Sequence, residues 1–138
     1  MATGPRLFDT VTLSEVIKGR DPEVLRRAGD YLSVYGRFQF SIITRYEILR
    51  GLQAKDAFRQ IERFEERCRE SIVFPLSDEV VVRAAEIYGA LHKRGALIED
   101  ADILIAATAL VHGLSLVTEN ASHFDRIPDL VVESWRSS

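Results

Sequence analysis

Hydrophobic and polar positions follow two different periods along the chain. Short runs rich in β-branched and aromatic residues predict strands, because such side chains pack well on a pleated sheet. Between these runs, apolar residues recur every three or four positions, which is the period of a helix with one buried face. The predicted strands cover residues 6–8, 37–43, 72–74, 114–118 and 130–133.

Helices are predicted between these strands, and several carry start or stop signals. Pro22 stands in the first turn of one helix, Ser77 is placed to cap another that Gly95 ends, and Gly113 ends the last. The helix that begins at Asp100 is apolar on nearly every face, so we expect it to be buried. One predicted helix begins at Leu13. The other five cover residues 22–34, 44–52, 55–70, 78–94 and 100–112.

Strands that alternate with helices predict an α/β fold with a mostly parallel sheet. The composition, with 46% hydrophobic and 28% charged residues, is that of a globular protein, and residues 1–138 are expected to form a single domain. We expect no signal peptide and no membrane-spanning segment. The single cysteine, Cys68, can form no internal disulfide, which favours a reduced, cytoplasmic setting.

The charge of the chain argues weakly against a broad surface for nucleic acid, because the formal net charge is −3. Of the 18 basic residues, 15 are arginine and three are lysine. The excess of arginine over lysine has two alternative explanations. One is genomic composition bias, and the other is a local basic rim that binds phosphate through arginine. Arg45, Arg50 and Arg94 are candidate phosphate contacts, although a solvated surface position explains each of them equally well.

Polar residues stand at the ends of the first and fourth predicted strands. Asp9 directly follows a strand, where a charge without a partner would be unfavourable. Thr118, Glu119 and Asn120 stand at the end of the strand over residues 114–118. Parallel strands present their carboxyl ends at one edge of the sheet, and sites form outside that edge. We therefore expect Asp9 to meet the residues around Thr118 there.

Three further acidic residues lie near predicted helix starts. Thr44 and Glu47 have the spacing of a capping box, so Glu47 has a structural explanation beside a functional one. Asp100 is expected to be the N-cap of its helix, and Asp102 lies in the first turn, where the helix dipole favours a carboxylate. Capping needs only one of the two, and small alanines on the face of Asp102 would let that face pack closely.

Asp9, Glu47 and Asp102 are therefore expected to converge at one edge of the sheet. Converging carboxylates repel one another and raise each other's pKa. A hard divalent cation relieves this repulsion, and Mg²⁺ is usually held by one or two carboxylates together with water and substrate phosphate. Such an ion can position or activate a water for attack on a phosphodiester. The placement of the acids thus indicates a magnesium site.

Other catalytic motifs are absent from the sequence. It contains neither a G-x-S-x-G nucleophile motif nor a glycine-rich phosphate loop. His92, His112 and His123 do not have the spacing of metal ligands. We expect surface or packing roles for all three histidines, with His123 in a loop.

Four stretches of the chain together resemble a known family. They are FDT near the start, SIITRYEILRGL, EDADILIAATALVHGLSLVTENASHF and the final LVVESW. From Leu7 to Trp135 the chain is similar to the PIN-domain ribonucleases and, more narrowly, to the VapC-type toxins of bacterial type II toxin–antitoxin systems. The most specific combination is D-x-x-I-A-A over residues 102–107 followed by G-L-x-L-V-T-x-N over residues 113–120.

This resemblance implies a three-layer α/β/α sandwich around a parallel sheet. The acidic triad of the family, which is catalytic and binds the metal, carries over onto Asp9, Glu47 and Asp102. Asn120 stands where the family often has a fourth acidic or amide residue. The supporting positions that the resemblance implies are Thr10, Thr44, Asp100, Thr118 and Asn120.

The resemblance also implies an activity and partners. The activity is Mg²⁺- or Mn²⁺-dependent endoribonuclease cleavage of structured RNA such as tRNA or rRNA. The protein partners are a VapB-type antitoxin, which neutralises the enzyme, and a second copy of the chain in a homodimer. No membrane partner is expected.

Val11 is a departure from the family, which commonly has Asn or Ser at this position, and it leaves two alternatives open. An inactive or weakly active PIN-like module that binds RNA or protein would tolerate the loss of a polar contact, although the intact acids disfavour it. A haloacid-dehalogenase-type phosphatase would share the FDTVTLS stretch. That class needs a second Asp where Val11 stands, followed by a later Lys and a paired-Asp motif that we do not find.

Overall fold

Twelve strands and helices alternate along residues 4–136, the part of the chain that the computed structural model describes. The single domain predicted over residues 1–138 includes residues 1–3 and 137–138, which lie outside the described residues. The elements are β1 Arg6–Phe8, α1 Thr10–Lys18, α2 Pro22–Tyr35, β2 Gln39–Ser41, α3 Ile42–Ala54, α4 Phe58–Arg69, β3 Ile72–Phe74, α5 Asp78–Lys93, α6 Asp100–Val111, β4 Ser115–Val117, α7 Ala121–Phe124 and β5 Val132–Glu133.

All strand pairs described in the structure are parallel. β4 lies between β1 and β5, with Leu7 in register with Leu116, and β2 pairs with β3. The strands thus form two hydrogen-bonded sheets, β1-β4-β5 and β2-β3, and β1 lies beside β2, so the two sheets form one layer in the order β3-β2-β1-β4-β5. The predicted α/β fold with a parallel sheet is confirmed.

Helices cover both faces of this layer. Successive strand residues point to opposite faces, so neighbouring positions enter different cores. Leu7 and Leu116 belong to a core with residues of α5 and α6, whereas Phe8 and Val117 belong to a core with residues of α1, α2 and α4. This division makes the three-layer sandwich that the resemblance implied. No helix within residues 4–136 is long and apolar enough to cross a membrane.

The predicted start of the first helix was wrong by three residues. α1 begins at Thr10 rather than Leu13, because the side chain of Asp9 accepts a hydrogen bond from the Thr12 N–H and caps the helix. This cap outweighs the strand preference of three β-branched residues in a row.

Other boundaries also differ from the prediction. α3 begins at Ile42, inside the run predicted as strand, because Ser41 caps it. The helix predicted over residues 55–70 begins only at Phe58, since the chain turns at Asp56 with a φ of 52°. β4 and β5 are shorter than predicted, and α7 was not predicted.

Candidate active site

Asp9 lies at the carboxyl end of β1 and is only 4% exposed. Its N–H donates to the Val117 carbonyl of β4 at 3.1 Å, so the backbone is fixed between two strands. Its Oδ1 accepts from the Thr12 N–H at 2.9 Å, and its Oδ2 accepts from the Thr118 hydroxyl at 2.6 Å. Burial raises the pKa of Asp9 even though these hydrogen bonds lower it. Asp9 is therefore both a helix cap and a buried acid.

Thr118 connects Asp9 to the loop that follows β4. Its buried hydroxyl donates to Asp9 and accepts from the Asn120 N–H at 2.9 Å. The side-chain nitrogen of Asn120, Nδ2, lies 2.7 Å from Nδ1 of His123, one turn further along the chain. Thr118 and Asn120, both predicted to support the site, therefore lie at the predicted edge of the sheet.

Asp102 faces this loop from the first turn of α6. Its Oδ2 lies 3.5 Å from Nδ1 of His123. Burial raises the pKa of Asp102, the neighbouring His123 lowers it, and the charges of Glu47 and Glu99 raise it further. The charge of Asp102 also contributes to the raised pKa of Asp9.

The prediction that His123 lies in a loop was wrong, whereas its predicted surface or packing role stays a prediction. His123 belongs to α7 and contacts both Asn120 and Asp102. The sequence contains a signal that could have found this contact, because residues three apart face each other when the segment is helical. Asn120 and His123 are three positions apart. The helix between them was not predicted, because α7 has only four residues and no clear apolar period.

Glu47 reaches the site from α3 and does not form the predicted capping box. Ser41, not Thr44, is the N-cap, and its hydroxyl accepts from the Ile43 N–H at 3.0 Å. The Glu47 Oε1 instead accepts from the Thr10 hydroxyl at 2.6 Å. The hydroxyl oxygen of Thr44, which is buried, lies 3.2 Å from that of Thr10. Both predicted supporting threonines thus lie beside Glu47.

Asp100 does not cap α6. Glu99 occupies the N-cap position, without a side-chain cap hydrogen bond, and Asp100 and Asp102 both lie in the first turn. Asp100 is exposed, whereas Asp102 is partly buried. Asp100 and Asp102 therefore share the first turn of α6 but differ in exposure.

The charges at this edge fit a hard cation. Neither Asp9 nor Asp102 forms an ion pair with Arg or Lys within residues 4–136, and Glu47 lies 3.5 Å from Arg50. Among those same residues, no three His, Cys, Asp or Glu side chains are grouped closely enough to hold one metal ion. The expected convergence of Asp9, Glu47 and Asp102 on one ion is therefore not found in this structure, and what the edge offers is the one or two carboxylates that Mg²⁺ usually takes together with water and substrate phosphate.

A hollow adjoins the acidic edge. This hollow, lined by Thr10 and Glu47, continues from the edge between α1 and α3. A larger hollow, of about 680 Å³, lies against α5 and contains none of the predicted site residues. We assign the chemistry to the acidic edge rather than to the larger hollow, because the buried acids lie at that edge.

The chain is similar to known proteins over nearly all of its length. The sequence profile of the PIN domain matches residues 6–130. The chain belongs to the PIN-domain family. Ribonuclease VapC1 of Methanocaldococcus jannaschii is 34% identical over 123 residues, which cover 89% of this chain and 81% of the relative. Ribonuclease VapC2 of Haemophilus influenzae is 31% identical over 130 residues, which cover 94% and 96%.

Solved structures with this PIN domain fold include toxin–antitoxin complexes. The DNA-bound VapBC of Salmonella typhimurium matches with a TM-score of 0.85 and 25% identity, covering 97% of this chain and 100% of that one. VapBC2 of Rickettsia felis, bound to a promoter fragment, matches with a TM-score of 0.85 and 22% identity, covering 96% and 100%. The resemblance to VapC-type proteins is confirmed.

Proposed function

We propose that this chain is a metal-dependent endoribonuclease toxin of the VapC type, which hydrolyses phosphodiester bonds in RNA. The observation that carries the proposal is the buried Asp9 together with Asp102 at the carboxyl edge of the sheet. Both acids have a raised pKa, and neither is paired with Arg or Lys within residues 4–136. The ribonuclease names of the relatives support the same reaction.

Each side chain has a role in this proposal. Asp9 and Asp102 would hold Mg²⁺, or Mn²⁺ in its place, and Glu47 would act directly or through water. The ion would supply an activated water and neutralise charge at the phosphate. Thr118 holds the carboxylate of Asp9, and Thr10 holds that of Glu47, through the hydrogen bonds described above.

The remaining supporting residues keep these acids in place. Thr44 fills the buried space beside the Thr10 hydroxyl. Asn120 contacts the imidazole of His123, which in turn faces Asp102. Asp100, exposed in the first turn of α6, would orient waters around the ion.

The proposal includes partners and setting. The RNA substrate is of the tRNA or rRNA class, and a VapB-type antitoxin neutralises the enzyme. The names of the VapBC complexes with the same fold support such a partner. The protein is proposed to work in the cytoplasm as a homodimer of single-domain chains, each spanning residues 1–138.

RNA cleavage in Mg²⁺, in Mn²⁺ and in chelator tests the reaction. We expect wild type to cleave only with metal, and Asp9→Asn and Asp102→Asn to fall to the level seen in chelator. Asp30→Asn is the matched control, because Asp30 is an exposed acid on α2, remote from the site. Equal cleavage by all four proteins would contradict the mechanism.

Thermal unfolding gives a second readout that does not depend on the choice of RNA. A metal that binds only the folded chain stabilises it by about 2.7 kcal/mol at 100 times its Kd. We therefore expect Mg²⁺ to raise the Tm of wild type and of Asp30→Asn, but not that of Asp9→Asn. An identical Mg²⁺ response in Asp9→Asn would remove Asp9 from the metal site.

These assays also separate the two alternatives. An inactive module would bind RNA without metal-dependent cleavage, and Val11, which is 49% exposed, is the feature that favours it. A haloacid-dehalogenase-type phosphatase is not supported, because the matched family is the PIN domain.

A further inference from the structure

A trough leads away from the candidate active site between α1 and α3. It consists of two adjoining hollows that share Ile17, Lys18 and Gln60. One hollow includes Thr10 and Glu47 of the site, and the other ends at basic residues far from it. We call this surface the basic trough, and its cations are Lys18, Arg20, Lys55 and Arg63.

The four cations of the basic trough are exposed and have no side-chain hydrogen bond or ion pair within residues 4–136. This distinguishes them from two of the arginines predicted to contact phosphate. Arg45 is held by Glu65 at 2.7 Å, and Arg50 lies 3.5 Å from Glu47. Among the described residues that line the trough, Glu47 is the only acid. A chain of net charge −3 therefore concentrates unpaired positive charge along one path to its site.

The floor of the basic trough is apolar at the site end. Ile17, Ile48 and Leu52 line it, and Ile17 is 41% exposed. An apolar floor beside cations suits single-stranded nucleic acid, whose bases need an apolar surface and whose phosphates need positive charge. The nine residues of α1 extend about 13 Å. At 3.4 Å per nucleotide, a single strand laid along α1 would span about four stacked nucleotides.

We propose that the basic trough holds the single-stranded RNA on one side of the cleaved bond, with its four cations on the phosphates. The inference rests on the proposed function, because the trough opens at Thr10 and Glu47. Lys18 alone could be explained by the dipole at the end of α1. That explanation does not extend to Arg20 or Arg63, which come from a loop and from α4. The charge favours an anionic strand over a protein segment.

The salt dependence of RNA binding tests the inference. Each phosphate contact in a single strand adds about 0.7 to the slope of log K against log salt. For Lys18→Gln/Arg63→Gln we expect the slope to fall by about 1.4 and the affinity at 0.1 M salt to fall roughly 20-fold. The probe is a fluorescent single-stranded RNA of about 12 nucleotides, measured by anisotropy in chelator so that it stays intact.

Lys93→Gln/Arg69→Gln is the matched control. Like Lys18 and Arg63, these two residues are exposed and unpaired within the described residues, but they lie outside the trough. The control should keep the wild-type slope and affinity. Equal loss in both double variants would overturn the inference, since it would show only a general charge effect.

Further outcomes separate this inference from the proposed function. If wild type cleaves RNA with metal but Lys18→Gln/Arg63→Gln binds it normally, the inference is overturned and the function stands. If the double variant loses capture of the antitoxin while RNA binding is unchanged, the trough is a protein-docking surface and the inference is overturned. If RNA binding follows the trough charges but wild type never cleaves, the inference stands and the function fails.

Discussion

At the level of single residues, Asp9 combines two roles that the sequence presents separately. Its Oδ1 caps α1, and its Oδ2 is held by Thr118 from the far end of the chain. Both hydrogen bonds favour the charged form, yet burial has the larger effect and raises the pKa. The folded chain thus keeps a poorly solvated carboxylate where a cation would stabilise it.

Replacement of Asp9 by Asn should stabilise the metal-free protein at neutral pH. Asn can keep the Oδ1 cap and carries no charge to desolvate, and its amide nitrogen can donate to the Thr118 hydroxyl in place of the bond that the Asp9 Oδ2 accepts. Because the pKa of Asp9 is raised on folding, wild type loses stability as pH rises from the unfolded value near 3.8 through the folded pKa. The higher free energy of unfolding of Asp9→Asn relative to wild type should therefore vanish below pH 3.8. Denaturant unfolding of both proteins across pH measures this difference.

Asp21→Asn is the control for this prediction, because Asp21 caps α2 in the same way outside the site. It should be no more stable than wild type at neutral pH. An equal gain in both variants would show that the effect belongs to helix caps in general rather than to a buried acid.

Thr118 is predicted to stabilise the fold as well as the site. Thr118→Val removes the donor to Asp9 and the acceptor for Asn120, and it leaves buried polar groups without partners. We expect a loss of about 1–3 kcal/mol in the free energy of unfolding, together with lower RNA cleavage. Thr108→Val is a matched buried control that loses only a bond to the Leu104 carbonyl. If the two variants lost equal stability and activity, Thr118 would have no special role.

At the level of elements, the start of α3 decides where Glu47 lies. Thr44 and Glu47 have the spacing of a capping box, but Ser41 captures the cap position three residues earlier. The helix therefore includes Thr44, and the Glu47 carboxylate meets the Thr10 hydroxyl of α1 instead of its own backbone. Two caps, Asp9 and Ser41, thus start the two helices that enclose the site.

Loss of the Ser41 cap should affect activity more than loss of a remote cap. Ser41→Ala and Ser77→Ala each remove one N-cap hydrogen bond, so each should lower stability by about 1 kcal/mol. Ser41→Ala should also reduce RNA cleavage, because α3 carries Glu47, whereas Ser77 begins α5 on another side. Denaturant unfolding and cleavage rates measured on both variants check this. Equal activity in the two would contradict the positioning role of α3.

At the level of the whole molecule, the C-terminal segment closes one core and touches the site loop. Trp135 is buried against Phe8, with ring centroids 4.9 Å apart. Glu119, between the site residues Thr118 and Asn120, accepts hydrogen bonds from the Trp135 N–H and the Ser134 hydroxyl. The segment that ends the described chain therefore supports both β1 and the loop after β4.

Trp135→Ala should destabilise the whole domain. Large aromatic residues in a core lose about 3–5 kcal/mol on truncation to Ala. Val34→Ala is the control, because Val34 is 71% exposed and such surface changes stay within about 0.5 kcal/mol. Denaturant unfolding of both variants measures the difference. A similar small effect in the two would mean that Trp135 does not contribute to the core.

The sequence by itself determined the order of strands and helices apart from α7, the buried character of α6, and the positions of Asp9, Glu47 and Asp102 near strand or helix ends. Such features depend on periodicity and on residues within a few positions of one another. The same local signals gave wrong caps for α3 and α6, because two nearby residues competed for each cap and the spacing alone does not rank them.

Only the tertiary structure decided the contacts between distant segments. Thr118 reaches Asp9 across 109 positions, and Glu65 captures Arg45 across 20. The same packing brings His123 to Asp102 and leaves the cations of the basic trough unpaired. Side-chain partners of this kind depend on which helix faces meet across the sheet, and no local pattern in the chain records that.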